Sequence, residues 1–438
     1  MRGGLHRARG LLAAAFVLAA VFAPRTALAN PPAPTPPKEP PRASPLAPPW
    51  DRAWMAERSL GNGKATYKPG AGITVRSRDG RYSLNFTMWA QVLLSARHDE
   101  QPAAGMKEAT MQLELRRARA IVQGNVFSKH VRYYVHLMFS PKDLGFGGVQ
   151  RRAPIFQWYS VFSRFQNANV QAGFFFVPYA RQRMQPLPRL QMMDNSTASY
   201  EFTLDQDIGV QVSSPDVAGL GKLRYFAGIF MGEGYDFAKA SDFGFTYMGR
   251  VDVLPFGMFE DYVESDLERP TKPKVSIGAA YAFSDRDHRT RAINGAMFAD
   301  GGTSSSHNLT ADVMFKWAGL SILGDVYWRR GWRQGGGLTD ADALPIPVQA
   351  ARNGVGWTAQ MGLYVPRTRF EVVARSAGTR PVKALATSLA RLDEVGGGLN
   401  YFFFRHMLKL QLDYIHTWGP ALPTGRGDQV RLQLQASF

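Results

Sequence analysis

From residue 81 onward, apolar and polar residues alternate in short runs separated by turn residues. This is the period-2 signature of strands with one apolar and one polar face. The runs predict about sixteen strands, over 82–94, 112–127, 131–140, 155–164, 169–177, 207–213, 222–230, 245–254, 274–283, 307–317, 320–329, 355–365, 369–376, 394–403, 407–416 and 429–438. In one of them Leu408, Leu410, Leu412 and Tyr414 alternate with Lys409, Gln411 and Asp413. In the last, Val430, Leu432, Leu434, Ala436 and Phe438 alternate with Arg431, Gln433, Gln435 and Ser437. A strand of this kind needs a partner for each edge, and closing the sheet provides one. The expected fold is all-β: a transmembrane antiparallel up-and-down barrel with its apolar face toward lipid.

The connections carry the same message. Tight turns at Ser128-Lys129-His130, Ala318-Gly319, Pro366-Arg367-Thr368 and Phe404-Arg405-His406 alternate with long segments at 95–111, 141–154, 178–206, 231–244, 284–306, 330–354, 377–393 and 417–428. One rim of short turns and one of long loops is a property of membrane barrels, not of soluble sandwiches. Segment 255–273 breaks the rule, being long where a short turn is due. Aromatic residues gather at strand ends, as in Tyr401-Phe402-Phe403-Phe404 and at Trp317 and Trp328, where an interfacial girdle would place them.

Ahead of the barrel region lie two different textures. Arg2, His6, Arg7 and Arg9 precede an apolar run from Leu11 to Ala23, and Ala27-Leu28-Ala29 offers a small-x-small cleavage site, so residues 1–29 read as a secretory signal peptide. Residues 30–80 form a Pro-rich periplasmic spacer, weakly structured or with a short helix near its end, and 81–438 form the barrel domain. Polyproline II over Pro31–Pro49, at roughly 3.1 Å per residue, would span about 60 Å. Contact of this segment with the cell wall is one expectation, an unpartnered leader the other.

Charge narrows the partners. The formal net charge is +17, and loss of the four arginines of residues 1–29 leaves +13. The excess is spread along strands, which favours anionic lipid or small anions over nucleic acid. The chain has no cysteine, which excludes disulfides, thiolate chemistry and Cys-based metal sites. No GxSxG or HExxH motif is present, so neither an enzyme nor a cofactor is expected.

Several segments, in order, resemble the phosphate-selective porin O and P family of bacterial outer-membrane channels. They are Leu115-Arg116-Arg117-Ala118-Arg119 leading to Gly124, Gln171 through Tyr179, Asp207-Ile208-Gly209-Val210-Gln211, Tyr225 through Gly234, Gln360 through Tyr364 with Glu371 and Arg375, and Gly398 through Phe402 with His406, Lys409, Asp413 and Tyr414. The resemblance runs from about Leu113 to Phe438. It implies a sixteen-stranded channel in the Gram-negative outer membrane, usually a homotrimer, with an inward-folded third long loop. It also implies a terminal aromatic, here Phe438, read by the barrel-assembly machinery. Phe176 stands where family members often carry a lysine.

With apolar residues outward, the inward set holds Arg117, Arg119, Arg132, Arg224, Arg250, Lys316, Arg329, Arg375, Lys409 and Arg431 against Asp252, Asp312, Asp325, Glu371 and Asp413. Arg116 is expected outward, at the rim. The third long segment adds Arg181, Arg183 and Arg189, as pore lining or as contacts to lipopolysaccharide or the facing wall. The expected function is a porin for small anions, phosphate among them. The alternatives are a weakly selective pore and a plugged structural barrel. Glu371 and Arg375 are also placed to pair along one strand.

Overall fold

The computed structural model describes residues 56–60, 63–100, 108–144, 153–234, 244–382, 384–423 and 425–438. The signal and Pro-rich segments expected before residue 50 lie outside these.

Sixteen antiparallel strands close into a barrel. Three short strands precede them: β1 (Ala56–Leu60), β2 (Gly63–Lys68) and β3 (Gly72–Ser77). The barrel strands begin with β4 (Ser83–Asp99), β5 (Ala109–Asn125), β6 (Val131–Met138), β7 (Ile155–Phe165), β8 (Ala168–Phe176), β9 (Gln206–Ser214), β10 (Leu223–Phe230), β11 (Thr246–Val253) and β12 (Lys274–Asp287). A small hairpin, β13 (Arg289–Arg291) and β14 (Asn294–Met297), pairs only with itself. The barrel resumes with β15 (Thr303–Trp317), β16 (Leu320–Gln334), β17 (Gly354–Tyr364), β18 (Phe370–Pro381), β19 (Leu392–Phe404), β20 (Leu408–Trp418) and β21 (Arg426–Ser437). Each pairs with the next, and β21 closes on β4 from Gly427↔Asp99 to Ser437↔Trp89.

The predicted facing holds strand by strand. On β21, Arg431, Gln433 and Gln435 are buried while Val430, Leu432 and Leu434 are exposed. The same alternation on β15 exposes Leu309, Val313 and Trp317 and buries Thr310, Asp312 and Lys316. An apolar outer band around a polar interior is the reverse of a water-soluble protein and matches a hydrocarbon surround.

Residues 56–80, expected to be weakly structured, instead form β1–β3. Strand β3 pairs with β4 over Ile73↔Phe86 to Arg76↔Ser83, on the same edge that β21 uses higher up. A side chain at Gly72 would sit 2.0 Å from the Phe86 carbonyl oxygen, and its φ is +72°, so only glycine allows this approach.

Short turns mark one rim. Ala318 and Gly319, with φ of 52° and 101°, make the two-residue hairpin that suits strand twist. The exception noted in the sequence, the β11–β12 connection, lies on this rim and folds into the lumen, where Asp261, Glu264, Ser265 and Asp266 are buried.

Candidate functional site

The lumen is organised by two insertions, the third long loop (177–205) from one rim and the β11–β12 connection (254–273) from the other. The first carries short helices at Arg181–Met184 and Thr197–Phe202. Ser196 caps the second, its hydroxyl accepting from the Ser199 amide, which offsets a donor the helix start leaves unpaired.

Where the insertions meet, charges interlock. Arg181, wholly buried, donates from Nε to Asp312 at 2.6 Å, from Nη1 to Asp261 at 2.8 Å and from Nη2 to Ser276 at 2.8 Å. Arg250 reaches Asp312 and Asp252, each at 2.7 Å. Arg224 donates to Asp252 at 2.9 Å and Asp261 at 2.5 Å. Burial pushes the Asp261 carboxyl up, but Arg224 and Arg181 outweigh it and hold it below the usual range. A Cβ at Gly278 would lie 2.2–2.6 Å from Arg250, Asp312 and Asp252, so the missing side chain is what makes room for the knot.

Beside the knot, Gln191 of the loop donates to Ser321 at 2.8 Å and Glu371 at 2.7 Å, and its amide donates to Glu264 at 2.6 Å. Lys316 Nζ donates to the carbonyls of Glu260 and Ser265, and Lys409 Nζ to that of Leu190. Both lysines therefore tie insertions to the wall. Glu371 contacts Gln191, Ser265 and Asn400, whereas Arg375 pairs with Glu394 at 2.6 Å. The expected Glu371–Arg375 pair is thus replaced by partners on the neighbouring strand β19 and on the two insertions.

The remaining predicted residues are placed as follows. Arg119 pairs with Asp143 at 2.7 Å and lies over the Phe156 ring at 3.7 Å. Arg329 donates to Asn308 at 2.8 Å and the Phe202 carbonyl at 3.1 Å. Arg183 pairs with Asp205 and stacks on Phe176 at 4.5 Å. Arg189 is exposed, 3.8 Å from Glu260, and Arg132 is exposed near the short-turn end of β6.

Arg117 and Arg431 meet at Asp194, each at 2.7 Å. Arg116 joins them at 3.2 Å. Its expected outward placement is overturned by a register shift in β5: Gln91 pairs with Arg117 and Val92 with Leu115. The extra residue, Arg116, is a bulge that turns it to the lumen side. Burial pushes the Asp194 carboxyl up, yet Arg117, Arg116 and Arg431 prevail and keep it well below the usual carboxylate range.

Beyond this site lies a cavity of about 1830 Å³, lined by Arg116, Arg117, Arg183, Arg289, Arg291 and Arg352 against Asp194, Glu201 and Asp205. Alternation along strands finds Arg117 alone of these. The rest lie on loops, on a bulge or on the β13–β14 hairpin, where period-2 reasoning has no purchase.

Two solved structures share this architecture. An anion-selective porin from Comamonas acidovorans aligns with a TM-score of 0.52 at 12% identity, covering 82% of this chain and 100% of that one. The outer membrane channel DcaP of Acinetobacter baumannii aligns with a TM-score of 0.52 at 11% identity, covering 84% and 100%. No family model matches the sequence, and no curated protein matches it. The class defined is therefore one of fold: a sixteen-stranded porin-type barrel.

Proposed function

We propose that this barrel is an outer-membrane porin through which small anionic solutes diffuse passively. The observation that carries the reading is the cavity wall, where six guanidinium groups face three carboxylates. In a wet passage with low-dielectric walls such an imbalance raises the local anion concentration and repels cations. Selectivity then arises from the field, without tight binding, since a conducted ion must also leave. Inorganic phosphate belongs to the admitted class, in line with the family resemblance. Export after cleavage of residues 1–29 and assembly as a trimer belong to the same reading.

The test is a planar bilayer holding the folded protein in a potassium chloride gradient. The expected result is discrete steps with an anion-directed reversal potential. In a triple Arg289→Gln, Arg291→Gln, Arg352→Gln variant the chloride-to-potassium permeability ratio should fall about two- to threefold. Cation preference in the natural protein would overturn the proposal, and absence of conductance would point to a plugged structural barrel.

A further inference from the structure

The Asp194 carboxylate is held as a bound anion would be. Its Oδ1 accepts from Arg117 at 2.7 Å and Arg116 at 3.2 Å, and its Oδ2 from Arg431 at 2.7 Å and Arg116 at 3.3 Å. These arginines come from β5 and β21, on either side of β4, while the carboxylate comes from a loop.

Each guanidinium is fixed independently of Asp194. Arg117 Nη1 donates to Gln91 at 2.9 Å, Arg431 Nε and Nη2 to Asp413 at 2.7 Å, and Arg116 Nη1 to Glu114 at 3.2 Å. The forks therefore keep their aim without the loop carboxylate. The Asp194 backbone is also anchored, its carbonyl accepting from Arg375 at 2.7 Å. Its side chain is 29% exposed and faces the cavity, the side from which a solute reaches it.

We propose that Arg116, Arg117 and Arg431 form a binding site for solute carboxylates, and that Asp194 is a tethered carboxylate which passing solutes displace. The inference rests on the anion-channel reading. Four arginines here, Arg375 included, and Lys142 on Glu114 stand against Glu114, Asp194, Asp413 and Glu394. Departure of the Asp194 side chain makes the node more positive by one charge and leaves a two-oxygen vacancy that a carboxylate fills in kind. Exchange of like for like keeps net binding weak, because hydrogen bonds lost and gained nearly cancel.

The probes are succinate and inorganic phosphate, added to the full chain in a bilayer while chloride current is read. Asp194→Asn keeps the shape and removes the competitor, so the half-blocking concentration of succinate should fall about tenfold, and that of phosphate by less. Arg117→Gln should raise it several-fold. Unchanged or weaker succinate block in Asp194→Asn overturns the inference, as does an equal or larger gain for phosphate. If Asp194→Asn does not assemble, an Arg117→Gln channel with natural succinate block overturns it alone. A cation-selective natural channel sinks the parent reading instead, and the two failures are thereby distinct.

Discussion

Two Arg–Asp clusters sit in the same lumen and do different things. The knot around Arg181 ties the third long loop to β11, β12, β15 and the β11–β12 connection, and none of its main charged members is exposed. The node around Asp194 uses the same chemistry at similar distances, but its carboxylate faces the cavity. Exposure, not residue type, separates a brace from a site. A buried pair cannot be opened without stranding a charge, whereas a wet pair exchanges its partner for water or solute.

The sharpest way to break the comparison is to cut the knot. Asp312→Ala removes the carboxylate that Arg181 and Arg250 share, and should cost about 3–5 kcal/mol, read as the urea midpoint of the protein in detergent micelles. Gly278→Ala pushes a methyl group into the same cluster and should cost about 1–3 kcal/mol. If either matched an exposed substitution, the knot would not be a brace.

A pH titration sharpens it further. Burial raises the Glu264 carboxyl above its ordinary 4.5, so the folded chain keeps this proton to higher pH than the unfolded chain does. Its contribution to stability is full below about pH 4.5 and drains as pH rises through the folded value. Natural protein should gain on the order of 1 kcal/mol relative to Glu264→Gln on acidification toward that pH. Asp261, shifted downward, acts in the opposite sense and only below its ordinary 3.8, so the two windows do not overlap. The smallest effect belongs to Arg405→Ala at the exposed pair with Glu268, which should stay within about 0.5 kcal/mol.

The strands were legible because one face meets hydrocarbon and the other water. Thus β20 and β21 match expectation within a few residues. Legibility fades near the long-loop rim, where both faces are wet: β16 continues through Arg330-Gly331-Trp332-Arg333 to Gln334, five residues past the expected end. The site was harder to read. Counting inward charges on strands gave a large basic excess, but Asp143, Asp194 and Asp261 return from loops to pair with Arg119, Arg117, Arg431 and Arg224. Of these only Asp261 had a sequence signal, the misplaced length of 255–273. The bulge at Arg116 left one signal, a change of phase: apolar residues fall on odd positions at Met111, Leu113 and Leu115 and on even positions at Ala118 and Ala120.

The pairing of β3 with the lower edge of β4 bears on how the barrel shuts. Strands β21 and β3 share one edge, with the first ending its ladder at Trp89 and the second starting at Phe86. A slip of β21 by two residues, which would keep every side chain on its proper face, would drive Phe438 into the place Ile73 holds. Alternation alone forbids only odd slips; β3 forbids the even one in that direction. It is an end stop, so the register in which β21 closes on β4, and with it the stagger of the barrel, is bounded by where β3 lies.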